Sequence, residues 1–146
     1  MLWGGEILAA AAQAPDSHGV RVMRRYGATG AREEAAAGFP TLFRVALPAL
    51  SAAAARFSTA KALTQTLFAI MAELEDTNLL HRGGPAGLAF AQAGARAFLA
   101  AGGVAAPDWR ERAAALHRAF IARRLSPGGA ADMLAAAWFV YRLCRE

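Results

Sequence analysis

Nine consecutive residues, Asp76-Thr77-Asn78-Leu79-Leu80-His81-Arg82-Gly83-Gly84, gather a carboxylate, an amide, an imidazole, a guanidinium and two glycines. The chain around them is rich in alanine, so filling a helical core does not account for the cluster. The residue types suit a phosphorylated or nucleotide ligand. Arg82 can grip phosphate with two parallel hydrogen bonds. Gly83 and Gly84 let the backbone approach a ligand closely. Amides at the start of a following helix favour an anion. Asp76, Asn78 and His81 are candidates to converge at the mouth of a helical bundle. The competing structural explanation is a helix end, with His and Arg set against the dipole and Gly as the stop.

A second run, Ser126-Pro127-Gly128-Gly129-Ala130-Ala131-Asp132, again sets glycines beside a carboxylate. Ser126 is expected to cap the last helix, with Pro127 in its first position. That start leaves Gly128 and Gly129 unexplained, because each costs up to ~1 kcal/mol against Ala within a helix. Small residues there admit a close neighbour, either a helix or a ligand. Asp132 follows one turn later among Ala and Met, and a carboxylate on an apolar helix needs a partner. An arginine, a metal ion or a ligand hydroxyl would each serve. A third run, Tyr26-Gly27-Ala28-Thr29-Gly30-Ala31-Arg32-Glu33-Glu34-Ala35 and then Gly38-Phe39-Pro40, places Arg32 at a helix start suited to anions, with Glu33 and Glu34 complementing the dipole.

The elements that must position these residues are helices throughout, with no alternating strand pattern. Helices are expected over residues 6–13, 20–26 and 31–37. Residues 39–56 follow, with Pro48 kinking or splitting them. Ser58 is a plausible cap for a helix over 59–74, whose buried stripe is Leu63, Leu67, Ile70, Met71 and Leu74. The Asp76 run then forms a helix-to-helix corner. A helix over 85–101 carries Leu88, Gln92, Ala95 and Leu99 on one line and stops at Gly102-Gly103. The next runs from Pro107 to Leu125, with Leu116, Phe120 and Ile121 inward and Arg110, Arg112, Arg118 and Arg123 solvated. The last ends near Leu143. The fold class is therefore all-α: one compact bundle of about six to eight helices with short connections, a single domain over residues 1–146.

The bulk properties exclude several alternatives. The chain has 146 residues, 56% hydrophobic and 18% charged, which is the composition of a globular protein. Its net charge is +5, carried almost wholly by arginine, since Lys61 is the one lysine. Those arginines are dispersed rather than clustered, which argues against a nucleic-acid-binding surface. Cys144 is the single cysteine, so neither a disulfide framework nor a cysteine metal site is available. No apolar run reaches the ~20 residues of a membrane span. With no recognisable signal segment, a cytoplasmic location is expected. There is no HExxH, no Walker sequence and no credible Ser-His-Asp order.

Taken in order, the three runs resemble the triphosphoribosyl-dephospho-CoA synthase family, from about Trp3 to Leu143. The branch serving malonate decarboxylase looks closest, and the citrate lyase branch is related. The resemblance implies a transferase that joins ATP and dephospho-CoA through the anomeric carbon of the ATP ribose and releases adenine. The product is the precursor of a carrier-protein prosthetic group, and Mg²⁺ is expected with ATP. Family members are roughly twice as long. The resemblance therefore covers their C-terminal half, and implies an N-terminal partner half or self-association.

Against that chemistry, Asp76 and Asp132 are candidates for base, electrostatic or Mg²⁺-binding roles, and His81 for positioning a hydroxyl or phosphate. Arg82, Arg32, Asn78, Ser126 and the backbone near Gly83, Gly84, Gly128 and Gly129 are candidates for holding substrate and triphosphate. The alternative is a non-catalytic helical remnant, or a subunit that needs its partner half.

Overall fold

The computed structural model describes residues 5, 6, 9 and 31–145, with the side chains of 31 and 32 outside the description. The helices expected over 6–13 and 20–26 thus fall almost wholly outside the described residues. Among those residues the architecture is all-α, with six α-helices and no strand. Helix α1 is Ala31–Ala36. A π-helical turn, Leu42–Ala46, leads directly into α2, Leu47–Ala54. Helix α3 is Thr59–Glu73, α4 is Thr77–Ala100, α5 is Trp109–Ala122 and α6 is Gly128–Leu143. A 3-10 turn, Gly103–Ala105, links α4 to α5.

Two prolines locate the irregularities. Pro48 lies in the first turn of α2, immediately after the π turn. A proline offers no N–H to the preceding turn, and the widened turn absorbs that loss without ending the helix. Pro85 lies inside α4, where the helix bends at Gly84 (φ 60°, ψ −164°). The residue before a proline is pushed out of the α region, and glycine reaches the positive φ without a Cβ clash. The corner expected here is therefore present: two helical segments meet at Gly84, Pro85 opens the second, and the residues of the Asp76 run before Gly84 are themselves helical.

The core is built on α3, which packs against α2, α4 and α6. Leu50, Ile70, Leu79 and Val104 are its largest fully buried apolar side chains, and the rings of Phe68 and Phe98 stack with centroids 3.8 Å apart. The buried faces differ in phase from the expected stripes. On α3, Ile70 and Met71 are buried, but Ala62, Thr66, Phe68 and Ala72 accompany them, while Leu63, Leu67 and Leu74 are only partly covered. On α4 the buried line is Gly87, Ala91, Ala95 and Phe98. Small residues bring α3 and α4 together, and the larger leucines flank the seam. On α5, Phe120 is buried and Leu116 partly so, whereas Ile121 is 63% exposed, contrary to its inward placement. The four solvated arginines of that helix are exposed as expected.

Polar ties fix the ends of these helices. Gln92 Nε2 donates to the Leu74 carbonyl at 3.2 Å and Arg96 Nη2 to the Ala72 carbonyl at 2.6 Å, satisfying acceptors that the end of α3 leaves open. At the other end, the Val104 amide donates to Gln65 Oε1 at 3.0 Å. Gly102 (φ 98°) stops α4, as its position implied. Gly103 is buried with φ +54°, and a Cβ on it would overlap the Gln65 amide. Gly103→Ala is therefore expected to destabilise the chain by roughly 2 kcal/mol, read as a lower urea midpoint with unchanged slope.

Candidate functional site

The site grows from Asp76, a carboxylate that is only 2% exposed. It occupies the N-cap of α4, where Oδ1 accepts the amides of Asn78 (2.8 Å) and Leu79 (3.3 Å). Oδ2 accepts the amide of Ala130, 54 residues later, at 3.0 Å. Ala130 is the third residue of α6. One side chain thus caps two helices, satisfying amides that each N-terminus leaves orphaned. Both helix dipoles present their positive ends to the same buried charge.

This junction corrects the start of the last helix. Ser126 precedes it, Pro127 takes the N-cap position, and neither residue supplies a side-chain cap. The cap comes across the structure from Asp76. The same contact accounts for both glycines. A Cβ on Gly129 would lie 3.1 Å from Cγ and Oδ1 of Asp76, and one on Gly128 would lie 2.6 Å from Asn78 Nδ2. The start of α6 rests directly on the Asp76–Asn78 turn, and only a residue without a side chain fits there comfortably.

Beside this junction is a cavity of about 330 Å³. Asp76, Asn78, Gly129 and Asp132 line it, so two runs lying some fifty residues apart in sequence meet at one place. Its remaining walls are largely apolar, including Phe39, Leu74, Met133 and Ala136. Asp132 lies one turn beyond Gly129 on α6. It is exposed to the cavity and makes no hydrogen bond or ion pair among the described residues. The two aspartates therefore differ in kind: Asp76 is buried and engaged by three amides, and Asp132 has both oxygens open.

The other candidate residues lie elsewhere. His81 and Arg82 are exposed and do not line the cavity. Their three- and four-residue spacing from Asn78 nevertheless sets them on its face of α4. Gly83 packs on Leu125, whose Cδ2 would sit 2.5 Å from an added Cβ, and Gly84 makes the kink. Ser126 lines a second, mostly apolar cavity of about 350 Å³ between α3 and α5, together with His117. The Arg32 side chain lies outside the described residues. Among the described residues, no three His, Cys, Asp or Glu side chains are grouped to hold a metal ion.

Glu34 and Phe39 are among the cavity residues not foreseen as site residues. Glu34 looked like a simple dipole partner for α1. Instead its Oε1 accepts the Thr41 amide at 2.6 Å and ties the turn beyond the helix. Phe39 stands in that turn with φ 56°; the residue is 41% exposed and lines the cavity. The Gly38-Phe39-Pro40 sequence was the available signal, a bulky residue held where a turn prefers glycine.

The model of the ATP:dephospho-CoA triphosphoribosyl transferase (CitG) family matches residues 3–146. The chain belongs to this family. It is 51% identical over 135 residues to a probable 2-(5″-triphosphoribosyl)-3′-dephosphocoenzyme-A synthase of Stutzerimonas stutzeri (strain A1501), covering 92% of this chain and 47% of that protein. A protein of the same description from Vibrio cholerae serotype O1 (strain M66-2) is 45% identical over 130 residues, 88% of this chain and 42% of its own. One from Acinetobacter calcoaceticus is 40% identical over 145 residues, 99% and 50%. The chain thus spans about half the length of the curated relatives it matches. No solved structure matches it. No helix among the described residues is long and apolar enough to cross a membrane.

Removing the double cap should be costly. Asp76→Ala strips a buried acceptor from two helix starts and is expected to lower stability by roughly 2–4 kcal/mol. Asp76→Asn keeps one acceptor oxygen and should lose less. Urea unfolding of both variants checks the order, and a stable Asp76→Ala chain would show that the junction is not what holds α6 in place.

Proposed function

We propose that this chain, corresponding to the C-terminal half of its relatives, holds the transfer site of a triphosphoribosyl-dephospho-CoA synthase. The observation that carries the reading is the meeting of Asp76, Asn78, Gly129 and Asp132 at one cavity, in a chain that belongs to the transferase family. In the proposed reaction, the 2′-hydroxyl oxygen of dephospho-CoA attacks the anomeric carbon of the ATP ribose. The new C–O bond replaces the C–N bond to adenine. The hydroxyl proton leaves to a base, and adenine departs after protonation on its ring. The destination of the product, on this reading, is the carrier protein of a malonate decarboxylase, the branch that the sequence resembles.

On this reading the work is divided between the carboxylates. Asp132, open and solvent-facing, is the residue placed to take the hydroxyl proton. Asp76 acts through structure and charge: it holds Asn78 and the amide end of α6 at the cavity and contributes negative potential near an oxocarbenium-like centre. Asn78, with Gly129, contacts the sugar. His81 and Arg82, one turn up the same face of α4, receive the triphosphate, joined by Arg32. Mg²⁺ commonly uses one or two carboxylates together with substrate phosphates and water. Asp132 is the carboxylate with oxygens open to such an ion, which would neutralise phosphate charge.

A second reading is favoured by one observation, that the chain covers about half the length of its relatives. On that reading it is a helical half that folds but turns over only when its partner half is supplied. The exposed Phe43, Phe139 and Leu143 are consistent with a surface that another body covers.

Chromatographic detection of adenine from ATP, Mg²⁺ and dephospho-CoA separates the two. Release by the 146-residue chain alone supports the first reading. Release only after a relative's N-terminal half is added supports the second, and no release in either case excludes the transferase site. In the active preparation Asp132→Asn is expected to lower kcat by roughly 10²–10⁴ with an unchanged unfolding midpoint, since Asp132 makes no hydrogen bond or ion pair among the described residues. Full turnover by that variant would remove it from the base role.

A further inference from the structure

Phe39 is an unusual residue for its place. The turn after α1 is fixed at several points: the Gly38 amide donates to the Ala35 carbonyl (3.0 Å), the Phe39 amide to the Glu34 carbonyl (2.7 Å), and Glu34 Oε1 accepts the Thr41 amide (2.6 Å). Within it Gly38 has φ 81° and Phe39 φ 56°. A left-handed backbone at a bulky residue is strained, and glycine would occupy it more cheaply. Hydrophobic burial does not offset that strain in full, because 41% of the residue remains exposed. The ring instead lines the cavity that holds Asp76 and Asp132, where Met133 and Ala136 of α6 form part of the wall. Strain kept at a cavity mouth points to a use for the side chain placed there.

We propose that Phe39 is a stacking platform for the purine ring of the nucleotide substrate, held in place by the strained turn and its Glu34 clamp. The inference rests on the nucleotide reading of the cavity given above. A flat neutral heterocycle matches this position. It needs one aromatic face, an apolar second wall, and no cation. Stacking on Phe39 places the base between the turn and α6, so that the sugar attached to it extends towards Asp132. It also gives the leaving base a surface that is not made of water. Because every base offers a π-face, the platform favours a planar ring in general, and purine over a bare triphosphate in particular.

The test uses the fluorescent purine 2-aminopurine riboside 5′-triphosphate, titrated into the purified chain with Mg²⁺, and inorganic triphosphate as competitor. The expected result is quenching on binding to the unaltered chain. Phe39→Gly should weaken the fluorescent nucleotide roughly tenfold and abolish the quench, yet leave the affinity for inorganic triphosphate unchanged. The same variant should unfold at an equal or higher denaturant concentration, because it relieves the positive φ. Phe39→Tyr should restore both affinity and quench. Opposite movement of stability and base affinity is something a merely structural residue would not give. Equal nucleotide affinity in Phe39→Gly, or binding without quenching in the unaltered chain, overturns the platform while leaving the nucleotide reading intact. Failure of both the nucleotide and inorganic triphosphate to bind overturns the nucleotide reading and the platform with it.

Discussion

Everything at the candidate site depends on one buried carboxylate answering to two helix starts. Asp76 accepts two amides from its own helix and one from α6, more than fifty residues away. Its solvent exposure is almost nil, so water does not supply substitutes for those bonds. A local cap sets the direction of one helix. A cap shared by two also sets the angle and separation between them. That is why Gly128 and Gly129 must lack side chains, and why α4 and α6 open a cavity at this end of the bundle rather than sealing it. The cavity follows from how closely two N-termini can approach a common anion.

This arrangement separates an engaged negative charge from an open one. The charge of Asp76 is offset by three amides and by the positive ends of two dipoles, so it is stable where it is and has little left to offer a ligand directly. Asp132, one turn along α6, has no such partners and faces the cavity. Two aspartates that look equivalent in the sequence therefore have different surroundings. The distinction arises from position along a helix: an N-cap in one case, an exposed second turn in the other.

The sequence made the all-helical class legible, along with most helix spans, because apolar spacing, Gly102 and the helix-starting residues are local signals. The phase of the buried faces was harder to read. Ala62, Ala91 and Ala95 are wholly or almost wholly buried, and alanine reads as neutral filler until a neighbouring element is seen against it. Ser126 looked like the cap of α6 because Ser-Pro is a good local start. The true cap comes from a residue that no window around Ser126 contains. The grouping of Asp76, Asn78, Gly129 and Asp132 at one cavity was partly legible, since glycines in a first helical turn demand a close neighbour. Glu34 and Phe39 were hidden, because their contribution depends on a turn that folds back over the start of α6.

Charge finally constrains how a nucleotide lies across this site on the proposed reading. Among the described residues, Glu34, Glu75, Asp76 and Asp132 line the cavity and no arginine or lysine does. A triphosphate brought into that space would meet the open carboxylate of Asp132 at short range, where the low dielectric of apolar walls magnifies repulsion. A neutral base and a sugar that gains positive character at its anomeric carbon suit it well. The phosphates must then point outward, along the face of α4 that carries His81 and Arg82, where solvent screens charge and a guanidinium is available. On the proposed reading, the acidic cavity and the guanidinium beside it would sort one substrate by charge, sugar inward and triphosphate outward.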